Sequence, residues 1–228
     1  MRVLDHLRPK VILARPAPAV YAVIYADAFF LEGETRHKAG AVPATARASR
    51  AAPASNGWGF VVRLGDRVFF DHGVVDARTI AAVASHRAFI YLLEIVAQVM
   101  AQVALARFLP PAFVAVIDNE AGRFALANGY GRDSSVNGVL AAYWALAALQ
   151  GWDPHFERVS SKANVSDAVS REDFSRADAE GWTRLPSPAS RVYELLALTA
   201  TDLDFAVGTA ASELLRASCS GLPGAAGA

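Results

Sequence analysis

Phe113–Asn119 (FVAVIDN) decides how this chain is to be read. Five apolar residues run into an aspartate, and an amide follows. An apolar run of that length, bounded by polar residues, is a buried strand. Asp118 then sits where the strand leaves the sheet, a costly place for a carboxylate unless something neutralises it. The rest of the chain has to supply other acids that meet Asp118 and a cation that holds them together.

The totals permit such a site. The 228 residues are 54% hydrophobic and 19% charged, enough apolar surface for a real core. Basic and acidic residues balance at 22 each, so any surface that attracts nucleic acid has to be local. A single cysteine, Cys219, excludes an internal disulfide framework and suits an intracellular setting. The most apolar segment, Ala88 to Leu109, carries Glu94, Gln98, Gln102 and Arg107 and reads as a buried helix rather than a membrane span.

Around Asp118 the elements follow in order. Residues 1–19 read as a leader or linker. Val20–Ala26 (VYAVIYA) is a strand that Asp27 ends. Residues 31–56, rich in Ala, Arg, Pro and Ser, read as a long insertion in the form of a solvated loop. Gly57–Val62 and Arg67–Val75 form a hairpin through Leu64-Gly65-Asp66. A buried helix covers about Thr79 to Phe108 and is stopped by Pro110-Pro111. After the Asp118 strand, a helix at Glu120–Asn128 ends on Gly129, and another runs from Ser134 or Ser135 to Gln150. A short strand at His155–Val159 precedes a helix over Val165 to about Phe174 with Asn164 as its N-cap. Residues 177–228 form an extension with one further helix. Three strands followed by alternating helix and strand units predict an α/β fold: one mixed five-stranded sheet flanked by helices, within residues 20–176.

Four acids stand out by position: Asp27, Glu94, Asp118 and Asp167. A strand-end aspartate often caps a turn, and a first-turn aspartate often serves the helix dipole. Glu94 resists such readings, because its surroundings (FIYLLEIVAQV) offer no cation one turn away. Four converging carboxylates need divalent cations between them, and hard oxygen ligands select Mg²⁺ or Mn²⁺.

Four stretches in this order carry a resemblance to a family. YADAFF at 25–30, AFIYLLEIVAQVMA at 88–101, VIDNEAGRFALANGYG at 116–131 and NVSDAVSRED at 164–173 are similar to the motifs of type 1 ribonuclease H domains. They look most like those that follow reverse transcriptases in retrotransposons. The resemblance implies a ribonuclease H-like fold that cleaves the RNA strand of an RNA–DNA hybrid. It implies two Mg²⁺ ions, replaceable by Mn²⁺, held by Asp27, Glu94, Asp118 and Asp167, and a reverse transcriptase domain preceding this one in a polyprotein. Asn119, Asn164 and Ser170 become supporting or strand-contacting candidates. Arg123, Arg132, Lys162 and Arg171 are basic candidates for the substrate because they flank the acids. The histidine that many members carry before the last aspartate is absent; Ser160-Ser161-Lys162-Ala163 stands there. The rival readings are a catalytically inactive domain of the same fold that binds or tethers nucleic acid, and a related nuclease or transposase. An exonuclease would need a second acid where Phe29 stands, and a transposase would place its glutamate last.

Overall fold

The computed structural model describes residues 21–30, 56–75, 89–131, 134–190 and 192–193. The leader at 1–19, nearly all of the 31–56 insertion, positions 79–88 of the expected helix and most of 186–228 lie outside them.

The described chain forms β1 (Ala22–Phe30), β2 (Asn56–Leu64), β3 (Arg67–Gly73), α1 (Phe89–Ala104), β4 (Ala112–Ile117), α2 (Glu120–Asn128), α3 (Ser134–Gln150), β5 (Asp153–Arg158), a 3-10 turn at Ser161–Ala163, α4 (Ser166–Ser170), α5 (Ser175–Glu180) and β6 (Thr183–Arg184). The strands lie in the order β5-β4-β1-β2-β3-β6. β1, β2 and β3 pair antiparallel, whereas β1–β4, β4–β5 and β3–β6 pair parallel. This is the expected mixed α/β sheet, with one more strand than the five expected.

The two-residue period of the strands sorts their side chains between two cores. Ile24, Ala26, Ala28 and Phe30 of β1 join Phe60 and Val62 of β2 under α1 and α3. Val61 and Phe70 face the other way and pack with Val169 and Ala177 of α4 and α5. Helix α1 is buried nearly all round because the sheet lies on one side and α3 on the other. Its two glutamines find partners there. Gln98 Nε2 donates to the Val116 carbonyl of β4, and Tyr143 of α3 donates its hydroxyl hydrogen to Gln102 Oε1. Among the described residues no helix is long and apolar enough to cross a membrane.

Four expectations change. Asp27 does not end β1, because Ala28, Phe29 and Phe30 continue the ladder opposite Trp58, Gly57 and Asn56. The helix after Asn164 stops at Ser170 rather than near Phe174. Glu172 takes a left-handed conformation (φ 65), and the Asp173 carboxylate accepts hydrogen bonds from the Ser175 N–H and hydroxyl, which starts α5. Asn164 is not that helix's N-cap; Val165 is, although Asn164 Oδ1 still accepts from the Ser166 hydroxyl at 2.7 Å. The sheet also continues past 176, where the sequence pattern ended the domain, because β6 pairs with β3 at Phe69 and Phe70.

A buried acid holds that last strand in place. Asp71 accepts from Arg184 Nε at 3.0 Å, from the Ser187 N–H at 2.8 Å and from the Ser187 hydroxyl at 2.6 Å. Asp71→Ala leaves these donors without their acceptor and is expected to lower stability by about 1–3 kcal/mol. A urea titration checks this, with Arg107→Ala, exposed in the turn after α1, as the near-neutral control.

Candidate active site

The parallel register of β1 and β4 brings the first two acids level. Tyr25 pairs with Val116, so Asp27 and Asp118, each two residues further on, stand side by side at the same height. Asp118 is the first residue after β4, and the next, Asn119, opens α2. Asn119 works in two directions. Its Oδ1 accepts from the Gly122 N–H at 3.0 Å and caps α2, while its Nδ2 donates to Glu94 Oε1 at 3.3 Å. One amide thus ties α1 to the end of β4 and holds Glu94 beside Asp118.

The fourth acid arrives from the other face of the sheet. Ser170 Oγ donates to Asp27 Oδ2 at 2.7 Å, and Asp167 lies one turn earlier in α4. Asn164 Nδ2 donates to the Ala26 carbonyl, pinning the approach to this helix against β1 next to Asp27. The close approach depends on glycine. A β-carbon on Gly59, which pairs with Asp27, would lie 2.5 Å from the Ser170 nitrogen. One on Gly57 would lie 2.6 Å from the Ser170 carbonyl oxygen.

The electrostatics follow from this geometry. Burial raises the Asp27 carboxyl from 3.8 to about 7; the Ser170 hydrogen bond opposes the rise, Asp118 and Asp167 add to it, and Arg171 opposes it. Burial pushes Glu94 well above the usual glutamate range, with Asp118 and then Asp27 adding to it and Asn119 opposing. Asp27 thus lies in the field of Asp118 and Asp167, and Glu94 in that of Asp118 and Asp27. Glu94 is 6% exposed, and its buried Oε2 has no hydrogen-bond partner among the described residues. A hard cation suits that orphaned oxygen and the all-carboxylate donor set. Among the described residues, though, no three of His, Cys, Asp and Glu form a group that could hold a metal ion. The acids are within electrostatic reach of one another without forming a closed cage.

The remaining candidates divide. Asn119, Asn164 and Ser170 each touch an acid or the strand beneath it. Arg171 is committed to Asp167, with its Nε donating to Oδ1 at 3.1 Å and its guanidinium 5.1 Å from the centre of the Phe29 ring. Arg123 pairs with Glu120 on the surface at 2.6 Å. Lys162 is exposed on the 3-10 turn, and Arg132 lies outside the described residues. Gly57, Gly59 and Phe29 were not among the candidates; the signal for the first two was the small residue on either side of Trp58 in a strand otherwise rich in bulky ones. His155 pairs with Glu157 on the surface, and His72 stacks on Phe174.

Two outcomes are expected. Gly59→Ala forces α4 off β2, breaks the Ser170–Asp27 hydrogen bond and costs about 1–3 kcal/mol, read from denaturant melts. The second concerns pH. The folded-state value of Asp27 lies above its unfolded 3.8, so the folded chain holds more protons between 3.8 and about 7. Stability without metal therefore falls as pH rises through that window and levels off above it. Asp27→Asn is expected to flatten this slope and to raise the melting midpoint measured in chelator above pH 7.

No protein-family model matches the chain, and no curated protein matches its sequence. Among solved structures, the chain is similar to the N-terminal RNase H domain of a Mycobacterium tuberculosis protein, solved as a fusion with maltose-binding protein. Identity is 16%, covering 72% of this chain and 99% of that one, with a TM-score of 0.39. It is also similar to RNase H1 from the halophilic archaeon Halobacterium salinarum, at 17% identity over 69% of this chain and 99% of that one, again with a TM-score of 0.39. At that level the likeness is one of outline, and the chemistry has to follow from the residues of the site.

Proposed function

We propose that the chain is a divalent-metal-dependent endonuclease that hydrolyses the RNA strand of RNA–DNA hybrids. The observation that carries this is that Asp27 lies in the field of Asp118 and Asp167, and Glu94, whose Oε2 has no hydrogen-bond partner among the described residues, in that of Asp118 and Asp27. Nothing in the packing of the core needs acids there, and these neighbours raise the cost of ionising Asp27 and Glu94.

Asp27, Glu94, Asp118 and Asp167 would hold the metal. Bound Mg²⁺, or Mn²⁺ in its place, would activate a water and take up charge on the leaving oxygen of a phosphodiester. Asn119 fixes Glu94 and the end of β4 in one geometry, and Ser170 fixes Asp27, so these two carboxylates would meet the metal already oriented. A hybrid is read by shape, through 2′-hydroxyls and phosphates in a shallow groove, which makes cleavage tolerant of sequence. Arg123 and Lys162 are basic side chains flanking the acid-bearing segments on the surface and are candidates for phosphate contacts. An intracellular retroelement setting, with a reverse transcriptase domain preceding this one, rests on the sequence resemblance alone.

A second reading has one observation in its favour. The described acids do not form a ready-made three-ligand group, as a domain that binds hybrid without cutting it would allow. A cleavage assay separates the two. Labelled hybrid is incubated with Mg²⁺, Mn²⁺ or chelator beside single- and double-stranded controls. The nuclease cuts only the hybrid, only with metal, and Asp118→Asn lowers the rate by at least about a hundredfold. Metal-independent binding of intact hybrid by the parent chain supports the tethering reading instead.

A further inference from the structure

Arg171 meets the acid cluster from two sides. Its Nε donates to Asp167 Oδ1, and its guanidinium carbon stands over the ring of Phe29, a buried residue of β1 two positions beyond Asp27. The hydrogen bond and the ring fix the charge beside Asp27 and Asp167 together, so Arg171 is more than a surface partner to one carboxylate. Its field reaches Asp27, where it opposes the effect of burial. A guanidinium held this way does for the acids part of what a metal ion would do, and it occupies a carboxylate oxygen that a metal would need.

We propose that Arg171 is the resident counter-ion of the site and that a divalent cation has to displace it from Asp167. The inference rests on the nuclease reading for the identity of the cation. Exchange of one cation for the other leaves the total charge near the acids low at every stage. It also releases a half-exposed guanidinium beside the site, where it can pair with a phosphate of the incoming strand.

The test uses the full chain and Mg²⁺ alone, followed by isothermal titration calorimetry and by the Arg171 Nε–H resonance in NMR. R171Q removes the competing charge and is expected to bind Mg²⁺ about three- to tenfold more tightly than the parent. R171K keeps a charge without the planar fork or the ring contact and falls between the two. In the parent, the Arg171 Nε–H resonance shifts as Mg²⁺ is added, reporting the broken ion pair. Equal or weaker Mg²⁺ binding by R171Q, an unmoved Arg171 resonance, or no Mg²⁺ binding by the parent overturns the proposal. If R171Q does not fold, as judged by circular dichroism, R171K and the resonance decide it. The nuclease reading fails separately, when a parent chain that binds Mg²⁺ and shows the exchange leaves hybrid uncut.

Discussion

Carboxylates buried near one another repel, and water is not there to weaken the repulsion. Glu94 has one oxygen held by Asn119 and the other held by no described residue, inside a helix whose neighbours are apolar. Asp27 lies in the middle of a strand at the centre of the sheet, where a hydrophobic side chain would contribute more stability. The local architecture is organised around this cost. The parallel β1–β4 register sets two acids level, the Asn119 amide draws α1 to them, and glycine opposite Asp27 lets α4 lie against the sheet.

The polar contacts at the site also form a graded set. Asn119 and Ser170 are neutral donors to Glu94 and Asp27, and each opposes the rise in that acid's pKa without cancelling its charge. Arg171 supplies charge, but to Asp167, whose side chain is 44% exposed. Full neutralisation is thus withheld at the buried end and available at the open end. In such a gradient the greatest unmet demand for positive charge lies deepest.

Much of this was legible in the residues, for reasons that differ by element. FVAVID announced a buried strand with an acid at its end, because apolar run and acid are contiguous. Asn128-Gly129 announced a helix stop, and Gly129 has the left-handed φ of 75° that such a stop requires. The helix expected to start at Ser134 or Ser135, residues that suit a helix start, and to reach Gln150 is α3, which runs from Ser134 to Gln150. Asp27 was placed at a strand end because a charge inside a strand contradicts burial; only the partner strand, with glycine opposite, shows how it is accommodated. The break at Glu172 could not be read, since a glutamate carries no propensity for the left-handed region. β6 is two residues long and has no pattern of its own; it exists because Asp71 holds Arg184 and Ser187. Arg171 was picked out only because it flanks an acid; its bond to Asp167 and the ring of Phe29 beneath it, from a strand more than a hundred residues away, were not read.

Among the described residues, the two rims of the sheet are finished in different ways. On one rim, β3 is covered at Phe69 and Phe70 by β6. On the other, β5 carries Asp153, His155, Glu157 and Arg158, all exposed. Unpaired strand edges are templates on which further copies of a chain can stack, and covering or charging them discourages it. Among the described residues the sheet is thus strapped on one rim and charged on the other, two devices that discourage lateral growth into ribbons.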